Sequence, residues 1–412
     1  MSSHPEMTPR AAWLLILAAS AILMITMGAR LTTGLFMSPI NTSTGLGIAS
    51  ISFALAIGQF MWGAAQPVFG AVADKHGSAK VVVAGALMLA GGLALTPLVS
   101  SQWGLMLTMG FLSAAGAGAG SFSILIGATA QRLPAARRPF AAGFINAGGS
   151  FGQFVFAPLM QAIISSAGWI AAMLTMAATT LLTIPLAWQL RNAPKVAGAP
   201  APVIDPNAMT LGKQIRIAMA DRSYLLLHLG FFTCGFHIAF LVTHLPGEVA
   251  LCNLSASVSA TALGLIGLFN IAGSLTAGFL ATRYRMKSLL ALMYASRAVM
   301  VALYLLAPKT ALTFYVFAAA LGFTWLATVP PTAGLVGKLF GMRYLSTLFG
   351  LTLLSHQIGG FLGAWLGGLA FVHFGDYNWM WYADIVLAAG AALLNLPIHE
   401  AHVARPLAAA PA

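Results

Sequence analysis

GAVADKHGSAK, residues 70–80, is a short polar break between two long apolar runs: two glycines, an acid followed at once by a base, and a closing lysine. A related break, GFLATRYRMK, occupies residues 278–287, so Gly278 stands 208 positions after Gly70 in a chain of 412 residues. A repeat offset of about half the chain is the signature of an internal duplication. The loop therefore marks the same point in two similar halves.

The flanking runs decide the class. The chain is 59% hydrophobic and only 7% charged, whereas a soluble domain carries about 25% charged residues, so this is an integral membrane protein. Roughly 20 apolar residues cross the hydrocarbon layer as a helix. Twelve such spans are read, at 11–36, 48–73, 80–99, 103–130, 138–165, 168–190, 223–245, 257–281, 287–307, 310–337, 343–372 and 378–398. The first outlasts a signal-peptide core and shows no small-residue cleavage site, so it is expected to be retained. Between the sixth and seventh lies the one real linker, 191–222, proline-rich early and basic and amphipathic from Leu211 to Arg222. It divides a unit at 1–190 from one at 223–412.

The net charge of +12 would suggest nucleic acid in a soluble protein. In a twelve-span chain, 17 of the 20 Lys and Arg fall on one side, Lys309 alone lies opposite, and Arg30 and Arg297 sit inside spans. By the positive-inside rule both termini are cytoplasmic, and the charge reports topology in the cytoplasmic (inner) membrane rather than nucleic-acid binding. Two cysteines, Cys234 and Cys252, make no disulfide framework. No metal-ligand or nucleophile–base spacing appears, so neither an enzyme, a cofactor nor a metal is expected.

The loop at 70–80 resembles the signature G-x-x-x-D-[RK]-x-G-x-[RK]-[RK] of the major facilitator superfamily, through Gly70, Asp74, Lys75, Gly77 and Lys80; Ala79 departs from it. The second copy keeps Arg283 but has Thr282 in place of the acid. The resemblance implies an all-α fold of twelve transmembrane helices in two six-helix bundles. It also implies spans 1, 4, 7 and 10 around a central cavity, and Asp74 capping or pairing across the bundle interface. RRPFAAGFINAGGSFG, residues 137–152, is similar to the fifth-span motif of monocarboxylate porters, a group that includes bacterial oxalate/formate and lactate transporters. Two features depart from that group: the first span lacks the acidic, tryptophan-rich motif, and Asn270 and Ser274 stand where its eighth span carries an Asp and a substrate-binding Arg.

Arg30 then becomes the leading candidate. It lies in AASAILMITMGARLTTGLFMSPI, residues 18–40, and the nearest acid in sequence is Glu6. A guanidinium at membrane depth costs roughly 3 kcal/mol, so it normally faces a wet cavity or a partner. Its planar fork suits a carboxylate bidentately; the alternative is that it snorkels, or caps carbonyls in a helix broken near Gly34 and Pro39. Arg297 on span 9 and Asp384 on span 12 reach similar depths and are expected to form a structural ion pair. His237, midway along span 7, could carry a proton or donate to an anion. Phe236 and Trp325 are expected as cavity walls, the latter beside Pro330 and Pro331, which loosen the helix. Gln59, Trp62 and Gln66 share a stripe of span 2, and Asn146, Asn270, His356 and Gln357 each need a polar partner, with substrate one candidate among several. One face of span 11 is expected to meet lipid.

The expected function is secondary transport of a small organic anion, a monocarboxylate, by proton symport or anion exchange, in a monomer surrounded by lipid. Multidrug or metalloid efflux by the same fold is the alternative, tolerated by 19 methionines. A receptor is disfavoured, since nothing supplies a signalling domain.

Overall fold

The computed structural model describes residues 8–130, 132–134, 137–191, 210–341 and 344–401. Within them, ten stretches are long and apolar enough to cross a membrane. One, Phe140–Leu190, is 51 residues long and holds spans 5 and 6, because Gly168, at φ 85° and ψ 166°, turns the chain inside it. Asn378–Asn395 supplies the twelfth span despite carrying Asp384. The fold is thus all-α, with twelve membrane helices, as its apolar runs require.

Helices pack in the same pattern in both halves. Span 1 packs on span 5, 2 on 4 and 3 on 6; likewise 7 packs on 11, 8 on 10 and 9 on 12. The halves meet through spans 2 and 11 and through spans 5 and 8. In lipid no hydrophobic force draws helices together, so close backbone approach at small residues does this work. A methyl added to Gly363 on span 11 would lie 2.2 Å from the Phe236 carbonyl oxygen on span 7, and one on Gly273 of span 8 would lie 1.8 Å from that of Phe323 on span 10. Gly363→Ala is therefore expected to destabilise the protein by about 1–3 kcal/mol, the usual cost of overpacking. Thermal unfolding in detergent checks this, and an unchanged melt would show that spans 7 and 11 stand further apart.

Several spans are broken where their sequences demand it. Span 1 runs Pro9–Leu31, tightens to a 3₁₀ turn at Thr33–Phe36 and resumes at Met37–Thr44. Span 4 contains a π-helical stretch, Met106–Ser113, whose wide turn is bridged by Ser113 Oγ donating to the Thr108 carbonyl at 2.8 Å. Span 10 stops at Thr324 and restarts at Val329–Phe340. Pro330 and Pro331 lack the N–H groups that would bond the preceding turn, so carbonyls there are left to other donors.

Just beyond span 12, Glu400 accepts from Lys338 Nζ at 2.7 Å and from the Lys287 backbone N–H at 3.3 Å. Burial alone would push this carboxyl up, but these donors outweigh it and hold the group below its ordinary 4.5. The folded state thus binds the proton less tightly than the unfolded one. The contribution to stability is present above that ordinary value and is lost as pH falls through the lowered one. As pH falls below about 4.5, Lys338→Gln is expected to flatten the fall of melting temperature with pH; parallel slopes would contradict this.

Candidate functional site

Arg30 occupies the last turn of Pro9–Leu31, where a cation complements the helix dipole. The chain tightens immediately afterwards because Gly34 abuts the Val242 carbonyl of span 7, where a side chain would collide. Arg30 Nη2 donates to Gln59 Oε1 of span 2 and, at 3.0 Å, to Gln357 Oε1 of span 11. Its guanidinium lies 4.2 Å from the centre of the Trp62 ring. These partners are neutral, and among the described residues no carboxylate pairs with it.

Nε and Nη1 of Arg30 have no hydrogen-bond acceptor among the described residues. Arg30 borders a cavity of about 40 Å³ shared with Thr33, Gln59, Met109 and Ser113. At about 10–15 Å³ per water centre, this holds roughly three waters, comparable to a carboxylate headgroup. Met109 and Ser113 reach it from the π-helical stretch of span 4, a distortion often found at functional sites. Sequence reasoning missed Met109 and Ser113, since π-turns have no sequence signature, and Thr33, which enters through the 3₁₀ turn after Arg30. Trp62 and Gln66 belong to the stripe it did find: Trp62 lies under Arg30, and Gln66 Oε1 accepts from Ser121 and Ser123 at 3.0 and 2.9 Å.

Gln59 and Gln357 converge on Arg30 from opposite halves. His356 does not join them there. Its Nδ1 lies 2.5 Å from Gln357 Nε2, and its ring packs on Phe231 with centroids 4.7 Å apart. Neither His356 nor Gln357 meets lipid, because span 11 is wedged between spans 2 and 7. The face of span 11 that is exposed carries Ile358, Leu366 and Val372 instead.

Asn146 and Asn270 are fully buried, away from Arg30's contacts, where spans 5 and 8 cross. Asn146 Nδ2 donates to Ser274 Oγ at 2.8 Å, and Asn270 Nδ2 to Ser150 Oγ at 2.6 Å. Asn270 Oδ1 also accepts the Leu326 N–H at 2.9 Å, capping the restart of span 10. The two positions where monocarboxylate porters carry charge are thus filled by a neutral seam between the halves.

The expected pair of Arg297 and Asp384 does not form. Arg297 Nη2 donates to the carbonyls of Thr324 and Trp325, the groups set free where span 10 breaks, and Nη1 donates to Cys234 Sγ at 3.2 Å. A buried guanidinium at a helix C-terminus satisfies orphan carbonyls and the dipole together. Asp384 instead lies 2.8 Å from His237 Nδ1, both side chains being almost wholly buried. Trp325 stands against that imidazole with centroids 5.8 Å apart, and Phe236 packs where span 7 meets Gly359 and Gly363. His228 and His244, the other span 7 imidazoles, contact Ser355 Oγ at 2.6 Å and the Ala364 carbonyl at 2.7 Å.

Of the loop signature, Gly77 takes φ 94° and ψ 139° between spans 2 and 3, a left-handed conformation that favours glycine. Gly70 lies in the helix before it, with open space at its Cα. The side chains of Asp74 and Lys75 lie outside the described residues. Arg283 in the second copy is exposed over the Phe279 ring, 4.5 Å from its centre.

A vestibule of about 550 Å³ lies between the ends of spans 1, 2, 5, 7, 8, 11 and 12. Gly34 and Thr243, beside the contact of spans 1 and 7, line it.

A family model described as Major Facilitator Superfamily matches residues 16–364. The chain is 27% identical to rat (Rattus norvegicus) monocarboxylate transporter 13, over 93% of its own length and 89% of the relative's. It is also 27% identical to monocarboxylate transporter 13 of Bos taurus, with the same coverage. To the oxalate:formate antiporter of Oxalobacter formigenes it is 23% identical, over 88% and 86% of the two chains.

Proposed function

Because the chain belongs to the Major Facilitator Superfamily, a transporter family, we propose that it moves a small organic anion, a monocarboxylate, across the cytoplasmic membrane by alternating access. The observation that carries this reading is Arg30: a guanidinium inside a span, held by neutral amides, with two nitrogens left without acceptors among the described residues, beside a small cavity. Arg30 anchors the carboxylate in that cavity, Gln59 stands beside it and Leu93 and Met109 form its walls, while Gln357 and Trp62 hold the guanidinium from outside the cavity. Relatives named monocarboxylate transporter and oxalate:formate antiporter support the substrate class.

Gln357 comes from the second half and Arg30 from the first. An arriving carboxylate competes with the Gln357 carbonyl for the guanidinium and so loosens one tie between the halves. Substrate binding is thereby linked to their relative motion. Any proton carried with the anion is held by the buried His237–Asp384 contact, within a monomer whose termini are cytoplasmic, as the distribution of Lys and Arg supports.

The test is uptake of labelled lactate, pyruvate, formate, oxalate and aromatic acids into proteoliposomes. Saturable uptake of at least one monocarboxylate is expected, accelerated by an inward proton gradient if symport operates. If none of the panel is taken up, by uptake or by exchange for preloaded anion, the substrate assignment fails.

A further inference from the structure

Spans 3 and 6 present facing stripes on the outside of the first half. On span 3, Lys80, Val83 and Leu87 follow one another at helical spacing, and on span 6 so do Ile184, Trp188 and Arg191. Between them lies a groove of about 730 Å³. Its body is apolar and its two cations stand at the same end, beside the polar loop that closes span 2. Leu87 is 56% and Trp188 62% exposed, as side chains that face lipid are.

Both cations have donors to spare. Arg191 stacks 3.1 Å over the Trp188 ring and spends only Nε, on the Trp188 carbonyl at 3.2 Å. Neither Arg191 nor Lys80 joins an ion pair among the described residues. The end of span 6 is held in place by Arg132, which donates to the carbonyls of Gln189, Leu190 and Arg191 at 3.1, 2.7 and 2.6 Å. Span 3 starts at Gly77 with no side-chain cap, so the positive end of its dipole also points at this rim. An apolar trough of about 10 Å along each helix, ending in two cations and a helix N-terminus, has the chemistry of a lipid with a negative headgroup.

We propose that an anionic phospholipid binds this groove, with its phosphate between Lys80 and Arg191 and an acyl chain along Val83, Leu87 and Ile184. Charge complementarity selects it over a zwitterionic lipid. The apolar wall below the rim selects it over a soluble phosphate, which would leave that wall uncovered. Arg30 plays no part in this site, so the proposal stands apart from the transport reading.

The test titrates phosphatidylglycerol, phosphatidylcholine and glycerol 3-phosphate onto the purified full-length protein in detergent, read by native mass spectrometry. Phosphatidylglycerol is expected to bind preferentially. A contribution of about fivefold per basic residue places Lys80→Gln/Arg191→Gln roughly 25-fold weaker, close to phosphatidylcholine. Lys80→Arg/Arg191→Lys should keep the preference, so the charge argument remains testable if the neutral variant does not fold. Equal binding of the two lipids, unchanged affinity in the neutral variant, or equally strong binding of glycerol 3-phosphate would each overturn the proposal.

Discussion

Arg30→Lys is expected to lower kcat/KM for carboxylate uptake by about 10- to 100-fold, since it keeps the charge but loses the fork. A bond to a charged group is worth about 1.5–3 kcal/mol, and a lysine cannot bridge both carboxylate oxygens while also serving Gln59 and Gln357. Loss of a single such bond corresponds to that range of rate. Wild-type uptake in the lysine variant, measured in proteoliposomes at matched protein content, would show that Arg30 serves the fold alone. The converse substitution is also informative: Gln357→Leu removes the tie from the second half, yet leaves the guanidinium in place.

Arg297→Met is expected to act on stability instead. The guanidinium is 1% exposed and caps the carbonyls of Thr324 and Trp325 at the break in span 10. Leaving such groups buried and unsatisfied costs about 1–3 kcal/mol each, so a total loss of about 2–6 kcal/mol is expected for the two, read as lower melting temperature and lower yield in the membrane. Asp384→Asn should not rescue it, because Asp384 contacts His237. Rescue in the double variant would show that the cation and carboxylate are partners after all.

The contrast between these two arginines shows what the amino-acid sequence carries. Twelve spans, the half-chain repeat and the break in span 10 are legible, because hydropathy and proline act locally. Arg30 is legible as an anomaly for the same reason. Its partners are not: Gln59 and Gln357 lie on different halves, and only the packing of spans 2 and 11 brings them together. Arg297 and Asp384 stand at similar depth, but depth along a helix says nothing of which way each side chain points. Nor does a sequence advertise backbone carbonyls as acceptors: Pro330 and Pro331 withhold N–H groups from the carbonyls of Leu326 and Ala327, whereas the two that Arg297 takes, of Thr324 and Trp325, are freed by the end of the helix at Thr324. Asn146 and Asn270 misled in a related way. Each amide did need a partner, and Ser274 and Ser150 across the seam supplied it.

We propose that the Arg30 fork holds the substrate's carboxylate. The most direct test is a binding cycle in which the transported monocarboxylate and its neutral amide are titrated against wild type and Arg30→Lys by calorimetry. Wild type should prefer the acid strongly, and the lysine variant should lose most of that preference while binding the amide about as before. If the lysine variant discriminates acid from amide as sharply as wild type, the carboxylate is held elsewhere than on Arg30.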